Sequence, residues 1–446
     1  MSTPGGRDRF VVVGAGLGGS LMAALLGRAG NEVVLLERRG DPRAGGADAG
    51  RSINLAISAR GLHALEQIGL REEIVRIAIP LYGRMIHPVR GPVAFQAYGA
   101  RGQAINSMSR AALNLALVGA AERSGNVRVR FGRRCVDVDP DTGSVGTVDV
   151  GSGSLPERHE GTIIGADGAY SVVRAQLQRR ERFDFSQAYL AHGYKELSIP
   201  PAADGTHRLD AHALHIWPRG GYMMMAMANL DGSFTVTLYL AFEGPNGFAE
   251  LHSPDELGRF FERTFPDAIP LLPGLAEDFF ANPTGTLVTV RTRPWHVGSS
   301  VALLGDACHA IVPFFGQGAN AAFEDCLALD GALRRHPADR GRAFEEYEAE
   351  RRPNADAIAD LALGNFHEMR DHVASPLFRL EKRGEALLHR LFPRWYIPLY
   401  TMISFTLIPY AEARERAGRQ KRVVRVIAVA ILLIGALVIF ALIGSG

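Results

Sequence analysis

Two hydrophobic periods alternate along the chain, and the switches between them mark its elements. Phe10–Val13 is a short apolar run, Leu21–Ala29 repeats its apolar residues at helical spacing until Gly30, and Glu32–Glu37 is again strand-like. A strand, a helix and a strand in the first forty residues predict a βαβ unit with parallel strands. Residues 40–50 are rich in Gly, Ala, Asp and Arg and predict a loop. Helical spacing returns over Ala59–Ile68 and Ala111–Arg123, and strands are expected at Val127–Phe131, Thr162–Ala166 and Val301–Leu304. Between them, Leu81–Val89 and Val93–Tyr98 predict a hairpin around Arg90-Gly91-Pro92. Ala213–Trp217, Tyr222–Ala228 and Phe234–Leu240 alternate with the period of an antiparallel sheet, and Pro254–Phe265 predicts a helix beside it. The C-terminal third is helical: Ala319–Arg334, Arg342–Arg370 with a kink or break at Pro353, and Leu377–Leu391.

The last pattern is different in kind. Val426–Ile443 is 18 apolar or small residues without interruption, preceded by Arg414, Arg416, Arg419, Lys421, Arg422 and Arg425. A helix rising about 1.5 Å per residue over that run covers most of a ~30 Å hydrocarbon core. The expectation is a transmembrane tail anchor at 423–443, with the basic flank keeping the body of the protein on the cytoplasmic side of a membrane.

Composition narrows the partners. With 446 residues the chain is long enough for two or three folding units, and its net charge of +2 gives no general case for nucleic-acid binding. Cys135, Cys308 and Cys326 form no CxxC pair, which points away from a disulfide framework. His212 and His215 form an HxxH, but no third ligand follows at metal-site spacing, so no metal is expected.

Candidate chemistry starts at Gly14-x-Gly16-x-x-Gly19, placed after a strand and opening a helix. Gly14 permits the tight turn, Gly16 lets the backbone approach a pyrophosphate, and Gly19 lets helix and strand pack closely. The helix N-terminus then offers its free N–H groups to the phosphates. Glu37 closes the second strand about 20 residues further on, where a carboxylate accepts from ribose hydroxyls. Arg38 and Arg39 flank it, facing an adenosine, a 2′-phosphate or solvent. Two later segments separate a flavin from a nicotinamide dinucleotide. Ile163–Gly168, followed by Ser171 and Arg174, is a strand running into a turn. Leu303-Leu304-Gly305-Asp306-Ala307 is a second strand end with a carboxylate, leading into Pro313–Asn320 and a helix. Asp306 suits a ribityl hydroxyl. Gly316, Gln317 and Gly318 allow close backbone approach to an isoalloxazine ring, and the helix beginning at Ala319 and Asn320 aims its positive end there.

The three segments in this order resemble the FAD-dependent aromatic hydroxylase family. Within it, the runs Gly50–Ser58, Val312–Asn320, Phe323–Cys326 and Pro398–Phe405 are similar to the enzymes that hydroxylate L-kynurenine. The resemblance covers about residues 10–410. It implies one bound FAD, NADPH and O2 as co-substrates, and hydroxylation ortho to the aromatic amine of L-kynurenine, with the hard chemistry carried by the cofactor and no catalytic acid or base in the protein. It also implies substrate contacts at Arg84, Tyr98, Asn365 and Tyr400, and a position near FAD for Arg110. A three-residue turn at 90–92 would pair Val89 with Val93 and so set Arg84 opposite Tyr98, where the arginine fork would meet a carboxylate. Ala319 departs from a methionine common in the family, and Gly364–His367 differs from the usual surroundings of Asn365.

The expected architecture is α/β: a Rossmann-like FAD-binding domain, discontinuous over 1–75, 100–180 and 285–345; an antiparallel-sheet substrate domain inserted at 76–99 and 181–284; a C-terminal helical region at 346–420; and a single C-terminal transmembrane helix. The alternatives are an FAD monooxygenase of another aromatic acid, which would change the Arg84/Tyr98/Tyr400 set, and a membrane-associated lipid-modifying flavoprotein reductase or epoxidase, which would have no use for a carboxylate-binding arginine. A flavin-bound scaffold would have no reason to keep every motif.

Overall fold

In the structure, a computed structural model, residues 8–44, 54–151, 156–372 and 375–444 are described. Gly50–Ile53, the start of one similar run, lie outside them.

The βαβ unit forms as its spacing predicts. Arg9–Val13 pairs in parallel with Glu32–Leu36 on one side and Thr162–Gly165 on the other. Val127–Arg130 and Val301–Leu303 extend the parallel sheet, and His296–Val297 closes one edge antiparallel. Its central strands are almost wholly buried, as strands covered on both faces must be. The first helix spans Leu17–Arg28, four residues earlier than its apolar spacing suggests, because Gly16 acts as its N-cap and accepts from the Ser20 N–H at 2.9 Å. The sequence hides this first turn behind its glycines.

The second sheet has seven strands in the order Gly285–Arg293, Asp184–Ile199, Phe234–Ala241, Met223–Ala228, Ala213–Pro218, Gly83–Ile86 and Ala94–Ala97. All neighbours run antiparallel except Ala213–Pro218 against Gly83–Ile86. The hairpin forms in a different register from the expected one. Its strands are only Gly83–Ile86 and Ala94–Ala97, and Arg84 pairs with Gln96, not Tyr98. Pro88 and Pro92 lack the N–H that a tight extension of the ladder would need, so the connection is longer than three residues. A shift of two residues keeps every side chain on its face, and Arg84 and Tyr98 still share one. Arg133–Asp139, Ser144–Asp149 and Glu157–Glu160 form a small meander whose charged positions carry no strand signal in the sequence.

Arg340–His367 is one continuous helix through Pro353. Pro353 and Ala349 are both exposed, so the carbonyl that the proline leaves without a helix partner faces water. The helix ends in a π-turn at Glu368–His372, an irregularity that often marks a functional site. Pro376–Leu391 and Leu399–Phe405 follow.

The tail anchor is not upheld. Tyr410–Gly444 is a single helix of 35 residues whose first turns are docked, with Tyr410, Ala413 and Ala417 in the core. The charged stretch up to Arg425 is part of the same rod. The side chains of 431–432 and of 436 onward lie outside the description. Among the described residues no helix is long and apolar enough to cross a membrane. That finding overturns the transmembrane helix at 423–443 and the membrane placement that rested on it.

Candidate active site

Between the two sheets runs one cavity of about 1610 Å³, its open mouth included. One end touches Gly16, Leu17, Gly18, Ala166 and Gly168; the other is made by Arg84, Tyr98 and Tyr400. Asp306, Arg110, Phe314, Phe315, Gly316, Gly318 and Ala319 line the length between them.

The glycines of the first turn divide by role. Gly14 has φ +102°, and a Cβ there would meet the Ala166 carbonyl oxygen at 2.5 Å. A Cβ on Gly19 would sit 1.9 Å from the Gly14 oxygen. Both are packing requirements behind the cavity. At Gly16 a Cβ would meet nothing within 4 Å, because that position faces the open cavity at the helix N-terminus. The space beside it is what a pyrophosphate would fill.

Glu37 lies under this turn and is buried. One carboxylate oxygen accepts from the Ala15 N–H at 3.0 Å; the other accepts from the Arg39 backbone at 3.0 Å and its Nε at 2.8 Å. Burial by itself would raise its pKa, but the hydrogen bonds and charge of Arg39, with the Ala15 N–H, hold the carboxyl below the usual range. Arg38 is exposed.

Asp306 opens the short helix Asp306–His309 and presents its carboxylate to the cavity. The residue is exposed to that space, with protein packed densely around it. That enclosure pushes its pKa up, against the pull of His309 and Arg110. Among the described residues nothing hydrogen-bonds this carboxylate. Arg174 fixes the turn, donating to the carbonyls of Ala307 at 2.8 Å and Ala169 at 2.6 Å. Asp167 accepts from the N–H groups of Val172 and Val173 and caps their helix.

Gly316 takes the left-handed conformation, φ +64°, which turns the chain into the helix Gly318–Arg335. Gln317 and Asn320 stand behind the cavity. Gln317 accepts from the Tyr410 hydroxyl at 2.9 Å. The Asn320 oxygen accepts from Ser58 and Gly61, and its amide donates to Ala56 and Gly316. Asn320 therefore staples the glycine turn to the strand Asn54–Ile57, with its polar atoms already filled.

At the far end Arg84 is 6% exposed. Its Cζ lies 5.5 Å from the ring centroids of both Tyr98 and Tyr400, and those rings stack on each other at 4.7 Å. Its Nε is buried without a partner. Burial raises the phenol pKa of Tyr98 and of Tyr400, so both stay protonated and able to donate. Phe315 also stacks on Tyr400, with ring centroids 5.7 Å apart. Asn365 is one layer back, donating to the Phe314 carbonyl at 2.5 Å and reaching the Met369 sulfur at 3.3 Å.

Glu368 escaped the sequence reading. Its carboxylate stands 3.8 Å from an Arg84 Nη, projected from the π-turn. A signal existed in its spacing: it follows Asn365 by three residues and so shares a helix face with it. Met225, Met227, Thr235, Thr237 and Tyr239 also line the cavity from the second sheet, on alternate positions that the strand pattern allows but does not single out.

Residues 9–362 match the model of the FAD binding domain family. The chain is 49% identical to a kynurenine 3-monooxygenase of Myxococcus xanthus over 92% of its own length and 88% of the relative's. It is 45% identical to a protein of that name from Salinispora tropica, covering 94% and 93%, and 46% identical to one from Xanthomonas campestris, covering 95% and 92%. Among solved structures it resembles 2-methyl-3-hydroxypyridine-5-carboxylic acid oxygenase, with TM-score 0.68 and 23% identity over 86% of this chain and 98% of that one. A tetracycline destructase matches at TM-score 0.61 and 19% identity, covering 87% and 98%. Those two likenesses concern the fold.

Proposed function

The chain belongs to the kynurenine 3-monooxygenases of the FAD binding domain family, and we propose how its cavity serves that reaction, the hydroxylation of L-kynurenine with NADPH and O2. FAD, when bound, supplies the redox chemistry, accepting electrons from NADPH and activating O2.

The residues present fit that cofactor. Gly16 and the free N–H groups at the start of the helix Leu17–Arg28 suit the pyrophosphate, Glu37 the adenosine ribose, and the free carboxylate of Asp306 a ribityl hydroxyl. The helix from Gly318 points its N-terminus at the middle of the cavity, where it would favour negative charge on the ring system. Arg110 adds a cation there.

The remaining space suits a small aromatic amino acid. Arg84 would hold the carboxylate, with Tyr98 and Tyr400 donating beside it. Glu368 would take the ammonium group, exchanging its contact with Arg84 for one with substrate. Phe314, Phe315 and Tyr400 would cover the aromatic ring and exclude water. The ring is activated by its own amine, so the protein's task is to bind, orient and keep the site dry.

The observation that carries this reading is the unpartnered Nε of buried Arg84, flanked by two protonated phenols, at the end of a cavity whose other end is the glycine turn. Stopped assays of NADPH consumption with and without L-kynurenine, with mass detection of product, test it. Stimulated oxidation with a product one oxygen heavier supports it; stimulation yielding only hydrogen peroxide moves the reading to another aromatic acid.

A further inference from the structure

Arg60 opens the helix Ala59–Gln67 and lines no part of the cavity, yet it is only 1% exposed. A cation at that depth is retained when its donors are filled. Its Nε donates to the Ile403 carbonyl at 2.8 Å, and one Nη donates to the Met402 carbonyl at 3.3 Å and to that of Ile408. The other Nη meets Glu324 at 2.5 Å, and the Tyr410 ring lies 4.0 Å from Cζ. Apart from Glu324, all of these partners belong to residues 402–410. The Met402 and Ile403 carbonyls come from the last turn of the helix Leu399–Phe405, where a helix leaves acceptors open and welcomes a cation. Tyr400 is on that helix.

The latch is braced from behind. Glu324 is 3.1 Å from Arg351, Arg351 donates to Asp325 at 2.8 Å, and Asp325 meets His309 at 2.5 Å, three residues beyond Asp306. A second tie runs from the Tyr410 hydroxyl to Gln317 in the glycine turn. The seven residues of Leu399–Phe405 are too few to hold a helix in place by their own hydrogen bonds. Its seat has to come from outside.

We infer that Arg60 is a positioning residue for substrate binding: it latches residues 402–410 so that Tyr400 stands against Tyr98 and Arg84. The inference rests on the reading of that corner as the carboxylate site. Lysine keeps the charge at this position but lacks the fork that serves four acceptors at once.

The test is a double-mutant cycle on the full chain with Arg60→Lys, Arg60→Ala, Tyr400→Ala and the Arg60→Lys/Tyr400→Ala pair. Bound FAD, KM and kcat for L-kynurenine and the ratio of hydroxylated product to peroxide are measured for each. Arg60→Lys is expected to keep its FAD, raise KM about tenfold, a size usual for coupling within one hydrogen-bonded network, and divert turnover toward peroxide. The double variant should bind L-kynurenine within about twofold of Tyr400→Ala alone, because a misplaced Tyr400 has nothing left to lose. Additive effects, an unchanged KM in Arg60→Lys, or loss of FAD from both Arg60 variants would each overturn the latch. If the parent protein ignores L-kynurenine and turns over another aromatic acid, the substrate reading fails instead, and the same cycle run with that acid still decides the latch.

Discussion

In the proposed site Arg84 and Glu368 would divide the two charges of an amino acid between them, and each charge can be probed alone. Arg84→Lys keeps a cation but loses the planar fork, so KM for L-kynurenine should rise by about 10–100-fold, the ~1.5–3 kcal/mol of a charge-assisted hydrogen bond, with FAD content unchanged. Glu368→Gln should also raise KM for L-kynurenine. Its effect should vanish for the analogue that lacks the α-amino group, because Glu368 would then have no cation to receive. Equal losses with both compounds in steady-state assays would show that Glu368 acts only through Arg84, from which it stands 3.8 Å. The glycine turn gives a second contrast between neighbours. Gly16→Ala should fold normally, since its Cβ meets nothing, but bind FAD at least about tenfold more weakly, ~1.4 kcal/mol, by titration of the apoprotein. Gly19→Ala should lower the thermal midpoint or fail to fold, since its Cβ would overlap the Gly14 carbonyl.

At the scale of elements, the buried ion chain joins the helices Asp306–His309, Gly318–Arg335 and Arg340–His367 and should show in the pH dependence of stability. Burial opposes charge on His309, but the neighbouring Asp325 carboxylate outweighs it and raises the imidazole above its ordinary range. Burial likewise opposes charge on Asp325, but His309 and Arg351 outweigh it and lower the carboxyl. A raised His contributes fully below its unfolded value of about 6.5 and loses that contribution as pH rises through the folded value. A lowered Asp contributes fully above about 3.9 and loses it as pH falls through its folded value. The pair is therefore worth most between those limits. His309→Asn should lower the thermal midpoint most near pH 5–6 and progressively less on the alkaline side, by scanning calorimetry; a loss independent of pH would mean that His309 contributes packing against Trp295 and no charge. These elements also show what the sequence holds. The βαβ unit, the glycine turn and the strand that leads to Asp306 are legible because their signals are local: spacing, glycine and a carboxylate within a few residues. Arg84 becomes a site residue only by resemblance, since a lone arginine on a short strand carries no local sign of a ligand. The hairpin register is missed by two residues because Pro88 and Pro92 lengthen a turn that composition makes look tight. Asn320 sits in a cofactor-like run yet spends its polar atoms on protein, and Gln317 spends its amide oxygen on the Tyr410 hydroxyl, which only tertiary contacts reveal.

For the whole molecule, the C-terminal segment is the instructive case. Apolar length alone reads Val426–Ile443 as a membrane span, but the helix that contains it begins at Tyr410 inside the core, and no helix among the described residues is long and apolar enough to cross a membrane. What the fold needs from this end is the part that docks. Tyr410, Ala413 and Ala417 are buried, Gln420 donates to the Trp395 carbonyl at 2.8 Å, and Arg60 is filled by the carbonyls of residues 402–408. A chain ending at Arg425 keeps every one of these contacts and should retain its FAD and L-kynurenine turnover within about twofold, since the contacts that seat this segment all lie before the cut. A chain ending at Pro398 removes Tyr400, uncovers the Phe314–Phe315 wall and leaves Arg60 buried with Glu324 as its one remaining partner. It should lose L-kynurenine-stimulated NADPH oxidation even if some FAD is retained. Paired assays of the two truncations decide the matter: if the longer one also fails, the helix beyond Arg425 takes part in closing the site, and the boundary between docked and dispensable chain lies further on than burial indicates.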